Sequence, residues 1–216
     1  MKQSTVSSEY QKQVEASCYD PNAFHPLRIE SITEQFRLLS AHGCRNILEV
    51  GVGKGLMRAF LSPINVIKHT TIDIAEDLKP DVVGSVLEMP FQDGQFDAVV
   101  CGQVLEHLQF EYFSAALKEL RRVSSKIVII SLPDRRRRLG FGVCLFRMGW
   151  KFWEMNFNSR KAFNEALIPE HHWEIGSSPE TRGQNVVAKM RDAGFTVLQQ
   201  YRLQKFQWHA FFVLGV

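Results

Sequence analysis

Residues Ile47–Gly55 read ILEVGVGKG, and Asp73 follows 18 positions after Gly55 in the segment TIDI (71–74). The first half is an apolar, β-prone run. It ends in three glycines at alternate positions (Gly51, Gly53, Gly55), after which Lys54–Leu61 carries a helical pattern. A strand that breaks into a glycine turn and then a helix lets the backbone bend sharply and approach a ligand closely. The helix start adds N–H groups that have no intrahelical partner. A dinucleotide fingerprint would need a glycine where this chain has Leu56, and a phosphate-binding loop would need a Ser or Thr after Gly-Lys; neither is present. The loop is therefore suited to a nucleoside ligand and poorly suited to a pyrophosphate. Asp73, at the end of the next strand, is placed to accept hydrogen bonds from two ribose hydroxyls.

Outward from this loop, strands and helices alternate. Val66–Ile74, Asp81–Gly84, Phe96–Cys101 and Lys126–Leu132 read as strands, while Arg28–Ala41, Glu111–Val123 and Pro179–Ala193 read as helices. Phe195–Leu203 and Phe206–Leu214 are two further strands with too short a connection for a parallel crossover, so they pair antiparallel. The expected fold is α/β: a Rossmann-like, seven-stranded, mostly parallel sheet with a C-terminal antiparallel hairpin and helices on both faces. Its 216 residues make a single domain (1–216), with an N-terminal helical segment (1–45) and a lid-like insertion (134–170).

The motifs ILEVGVGKG (47–55), TIDI (71–74), GSVLEMPF (84–91) and FDAVVCGQVLEHL (96–108) together resemble the successive motifs of class I S-adenosyl-L-methionine (SAM) dependent methyltransferases, above all the type 11 small-molecule group. The resemblance covers Asn46–Pro133 by motif and the remainder by architecture. It implies SAM as methyl donor and S-adenosyl-L-homocysteine as product. By position, Gly51, Val52, Gly53 and Gly55 would border the methionine part of SAM. Glu49 would hold the loop and, through water, the ammonium group. Asp73 would take the ribose, Ile74 the adenine face, Ser85 and Val86 the adenine edge, and Gln103 the methionine end. Relatives commonly carry Asp where this chain has Ser85.

For chemistry, methyl transfer asks for proximity and, with a poor nucleophile, a general base. The candidate catalytic residues are His107 in QVLEH (103–107) and His171 and His172 in PEHHWEIG (169–176). No metal is assigned. A metal-dependent alternative draws Glu106, His107 and one of the later histidines around Mg²⁺ or Mn²⁺, and resembles enzymes that methylate the 2′-hydroxyl of small-RNA 3′ ends. Gln103 stands there in place of one of their glutamates, which removes an anionic ligand for a hard cation.

The insertion begins with Arg135, Arg136, Arg137 and Arg138 and continues through Phe141, Phe146, Trp150, Phe152, Trp153 and Phe157. It fits a lid over a small-molecule acceptor of anionic or amphiphilic character, or a peripheral membrane contact through 135–157. RNA contact and an ordinary helical subdomain are the further readings. A net charge of +3 and pI of about 8.7 do not call for nucleic acid. Four scattered cysteines without a CxxC pair, a polar N-terminus and the lack of a long apolar run point to a reduced, cytoplasmic protein. A non-catalytic SAM-binding module is the remaining alternative.

Overall fold

The computed structural model describes residues 26–145, 149–157, 167–204 and 208–216. Residues 1–25 of the N-terminal segment, with Cys18, and parts of the insertion (146–148, 158–166) and of the last connection (205–207) lie outside that set.

Strand β1 (Asn46–Val50) is central and nearly wholly buried. It lies parallel to both β2 (Lys68–Asp73) and β4 (Phe96–Gly102). β3 (Val82–Val83) extends the sheet beyond β2, and β5 (Ser124–Pro133) extends it beyond β4. β8 (Thr196–Arg202) and β9 (His209–Gly215) close it, β9 antiparallel to both β5 and β8. The order is β3-β2-β1-β4-β5-β9-β8, the seven-stranded mixed sheet expected from the sequence. The chain winds outward from β1 to β3, then returns to lay β4 on the other side of β1. That reversal opens a crevice beyond the carboxyl ends of β1 and β4, where ligands bind in sheets of this kind.

Alternate residues of each strand feed two cores. Leu48, Val50, Val99, Cys101, Val128 and Ile130 face α3 (Phe113–Val123) and α4 (Gly183–Asp192). Ile47, Ala98, Val100, Ile129 and Phe211 face α1 (Pro26–Ala41) and α2 (Leu56–Leu61). In α3 the buried residues Phe113, Ala116, Leu117, Leu120 and Val123 recur at three- and four-residue steps, the single stripe a surface helix buries. Covering both faces is what permits such continuously apolar parallel strands.

Three helices start later than the sequence reading places them. α2 starts at Leu56 and not at Lys54, because Gly51, Gly53 and Gly55 all take positive φ and hold the loop out of helix. The Glu111–Val123 helix begins with a 3₁₀ turn (Phe110–Tyr112). The Pro179–Ala193 helix starts at Gly183, since the Ser178 and Thr181 hydroxyls hold the preceding turn.

The described part of the insertion is not helical. β6 (Arg137–Leu145) and β7 (Gly149–Phe157) form an antiparallel hairpin separate from the main sheet. Apolar residues at 139, 141, 143, 153 and 155 alternate with period two, and Gly140 and Gly142 disfavour helix. The arginine run is also partly structural. Arg136 sits 2.5 Å from the buried Asp134, which Arg202 also approaches at 3.4 Å, and Arg135 lies 3.4 Å from the buried Glu174. Arg135 and Arg136 are thus taken up in ion pairs at the root of the hairpin.

Candidate functional site

The glycine loop and Asp73 are built against each other. One Asp73 carboxylate oxygen accepts the Val52 N–H at 2.8 Å and the other accepts the Ala75 N–H at 2.9 Å. Each oxygen keeps acceptor capacity for a further donor, as two vicinal hydroxyls would require. Gly51 donates to Ile72 O at 2.9 Å and has φ 84°; a Cβ there would overlap the Val104 side chain. That contact brings the loop after β1 against the loop after β4. Gly55 also has positive φ, but a Cβ on it meets nothing within 4 Å. Gly51→Ala is therefore expected to cost about 2–4 kcal/mol, combining left-handed strain with overlap, whereas Gly55→Ala costs about 1 kcal/mol. Denaturant unfolding of the two variants checks the difference.

Beside Asp73, Ile74 is 40% exposed, an open apolar side chain at the strand end. The Ser85 hydroxyl accepts the Leu87 N–H at 3.2 Å, so it caps its own turn. Val86 is buried in the core, which leaves its backbone as the part able to meet a ligand. Glu49 is buried and its Oε2 lies 3.1 Å from His69 Nε2; burial raises its pKa, against the lowering effect of His69. Farther out, Thr71 hydrogen-bonds Asp81, which Arg58 of α2 approaches at 2.9 Å. Neither His69 nor this network was visible in the motifs. The sole hint is that 69, 71 and 73 share one side of β2.

Past β4, Gln103 takes φ 56°, donates its N–H to Ser131 O at 3.0 Å and reaches Ser131 Oγ with its amide nitrogen at 3.3 Å. A non-glycine residue in this region marks a backbone held by its surroundings. The following 3₁₀ turn (Leu105–His107) meets the segment after residue 167 through three bonds. His107 Nδ1 lies 2.8 Å from Glu170 O, the His172 N–H donates to Glu106 O at 2.9 Å, and the buried Trp173 donates Nε1–H to Leu105 O at 3.1 Å. Trp173 is fixed in turn by Phe110 and Phe113, with ring centroids at 4.8 and 5.0 Å.

The docking stacks His107 edge-on to His171, centroids 5.0 Å apart. His171 Nδ1 lies 2.8 Å from an oxygen of Glu174, which is 1% exposed. His172 is exposed, so of the two adjacent histidines only His171 joins the cluster. Glu106 is wholly buried, and neither of its carboxyl oxygens meets a hydrogen-bond partner from another residue among those described. Burial, aided by Glu174, pushes its pKa up to about 8. Burial also lowers that of His107, despite Glu170 O. Glu106, His107 and His171 each offer one ligand atom, all within 4.8 Å of one another. Glu174 escaped the sequence reading, although its place three residues after His171 was a signal.

Sheet order, antiparallel closure and a crevice between β1 and β4 define the Rossmann-like fold of class I methyltransferases. Solved structures share it. A SAM-dependent methyltransferase from Archaeoglobus fulgidus is 14% identical with a TM-score of 0.58, over 87% of this chain and 94% of that one. One from Aquifex aeolicus is 16% identical with a TM-score of 0.59, over 94% and 99%. The Burkholderia thailandensis 1,6-didemethyltoxoflavin-N1-methyltransferase, solved with 1,6-didemethyltoxoflavin and S-adenosylhomocysteine, is 13% identical with a TM-score of 0.55, over 93% and 86%. Residues 48–127 match the family model described as a methyltransferase domain. The fold is that of class I SAM-dependent methyltransferases, and the stretch matched by the methyltransferase-domain model carries the glycine loop and Asp73 described above. No helix among the described residues is long and apolar enough to cross a membrane.

Proposed function

We propose that the protein is a class I SAM-dependent methyltransferase that methylates an oxygen or nitrogen of a small or lipid-like acceptor, with His171 as general base. The observation that carries this reading is the His171–Glu174 pair at the carboxyl end of β4. Bound SAM supplies an electrophilic methyl group for in-line displacement. Asp73 would hold the ribose, Ile74 and the backbone of Ser85 and Val86 the adenine, and the loop Gly51–Gly55 with Gln103 the methionine part. Glu49, answered by His69, would stiffen the loop from below. The residues suit this ligand: the Asp73 oxygens have capacity left, and Ile74 offers apolar surface to an aromatic ring.

Glu174 accepts from His171 Nδ1–H and so fixes the tautomer in which Nε2 carries the lone pair. Nε2 can then take the proton that an acceptor hydroxyl or amine loses as it is methylated. Arg135, 3.4 Å from Glu174, helps hold that carboxyl group in place against His171. His107, held at Nδ1 and disfavoured as a cation by burial, would stay neutral and orient the acceptor. His171→Ala is expected to lower kcat about 10²–10⁴-fold while leaving SAM affinity unchanged. Measured on a turned-over acceptor, an unchanged kcat removes His171 from the chemistry.

A second reading is favoured by the three ligand atoms within 4.8 Å: a divalent cation at Glu106, His107 and His171 that orients an acceptor hydroxyl, as in 2′-O-methylation of RNA. Activity lost with chelator and restored by Mn²⁺ or Mg²⁺ selects it, and activity indifferent to chelator excludes it. Affinity for SAM with no turnover on any acceptor would instead mark a binding module.

A further inference from the structure

Among the described strands, β6 and β7 pair only with each other. A lone two-stranded hairpin is marginal in water and gains stability from a surface to lie on. Leu139, Phe141, Val143, Trp153 and Met155 are between 43% and 65% exposed. The register sets Phe141 opposite Trp153 and Leu139 opposite Met155, so these residues share one side of the ribbon, and the Phe141 and Trp153 rings stack at 5.4 Å. The result is a continuous apolar face turned to solvent, a feature that marks an interaction surface.

Charge indicates what covers it. Arg135 and Arg136 are answered by Glu174 and Asp134. Beyond them, residues 137–161 hold six cations (Arg137, Arg138, Arg147, Lys151, Arg160, Lys161) and one acid, Glu154, a charge of +5. Against the total of +3, the rest of the chain carries −2. The basic character of the protein is thus concentrated in the stretch that bears its apolar face. We propose that this hairpin docks on an anionic phospholipid bilayer, its five apolar side chains entering the interface and its cations drawn to the headgroups.

Aromatic and aliphatic side chains beside cations are what an anionic bilayer surface takes up. A second copy would bring a like charge of +5 against the first. Single-stranded RNA would need open aromatic faces, whereas Phe141 and Trp153 stack on each other amid aliphatic neighbours. The root of the hairpin is also tied to the site, because Arg135 contacts the Glu174 that holds His171. Docking would set the methyl-transfer crevice beside the bilayer, where amphiphilic acceptors reside.

The test is cosedimentation of the full-length protein with phosphatidylcholine vesicles, with and without phosphatidylglycerol. Binding is expected only with phosphatidylglycerol and should weaken as salt rises. Phe141→Ser combined with Trp153→Ser should bind at least roughly tenfold more weakly. Both positions are exposed, and an unchanged thermal shift with S-adenosylhomocysteine confirms that the variant is folded. No wild-type binding at low salt, or equal binding by the variant, overturns the proposal, as does self-association or RNA binding that the variant loses in its place. Vesicle binding is read without turnover, so its failure leaves the acceptor reading standing. Loss of turnover in His171→Ala leaves docking standing.

Discussion

S-adenosylhomocysteine is expected to raise the melting temperature of the wild-type protein, and Asp73→Ala should nearly abolish the rise. A ligand of the native state stabilises by mass action, about 2.7 kcal/mol at a hundred times its dissociation constant. For a chain of this size that is roughly 5–10 °C. The Asp73 carboxylate accepts the Val52 and Ala75 N–H groups, and the same oxygens would bind the ribose. Its removal loses ligand contacts and loosens the loop, so affinity should fall about a hundredfold, which cancels most of that 2.7 kcal/mol. The unliganded variant should also melt somewhat lower than wild type. Differential scanning fluorimetry measures both effects. A wild-type protein that does not shift at saturating ligand contradicts the site as built here.

The second large effect is the pH dependence set by Glu106. Its carboxyl is pushed up to about 8 from an ordinary value of 4.5, mainly by burial. Between these two values the native protein keeps a proton that the unfolded chain has released. Stability therefore falls as pH rises through this window, by up to about 1.4 kcal/mol per pH unit. The contribution is whole below the unfolded value and gone above the native one. Glu106→Gln removes the ionisation while keeping shape. In chelator-treated protein the variant and wild type should be about equally stable at pH 5, and the variant more stable by on the order of 3 kcal/mol at pH 8. Denaturant titrations at both pH values check this. A difference that does not change with pH rules out a buried neutral carboxyl. A divalent cation added back reverses the sign if it binds there, because the variant loses a ligand.

The glycine loop and its contact with Asp73 were legible because their parts are local. Gly51 and Gly55 advertise left-handed backbone, and Asp73 closes a strand that periodicity delimits. The parts of the site beyond β2 were less legible, since they depend on contacts between distant segments. Gln103 was named from its position, yet its positive φ and its hold on Ser131 come from the packing of β4 against β5. Val86 was placed at an adenine edge by motif, but its side chain belongs to the core. The hairpin escaped because an alternating apolar pattern among arginines and bulky aromatics competes with a helical reading when no neighbouring strand is evident.

The sequence alone determined the alternation of strands and helices that builds the main sheet, the glycine loop with its partner Asp73, and the antiparallel close. Each follows from short-range periodicity, backbone freedom at glycine, or the length of one connection. Tertiary structure alone decided that His107 and His171, 64 residues apart, stand edge to edge, and that His172 does not join them. It also decided that Arg135 and Arg136 answer buried carboxylates, although all four arginines look alike in sequence. The physical reason is the same in both cases. Trp173 on Leu105 O and the buried Asp134 and Glu174 set which side chains lose water, and only a chain already folded brings those partners within reach.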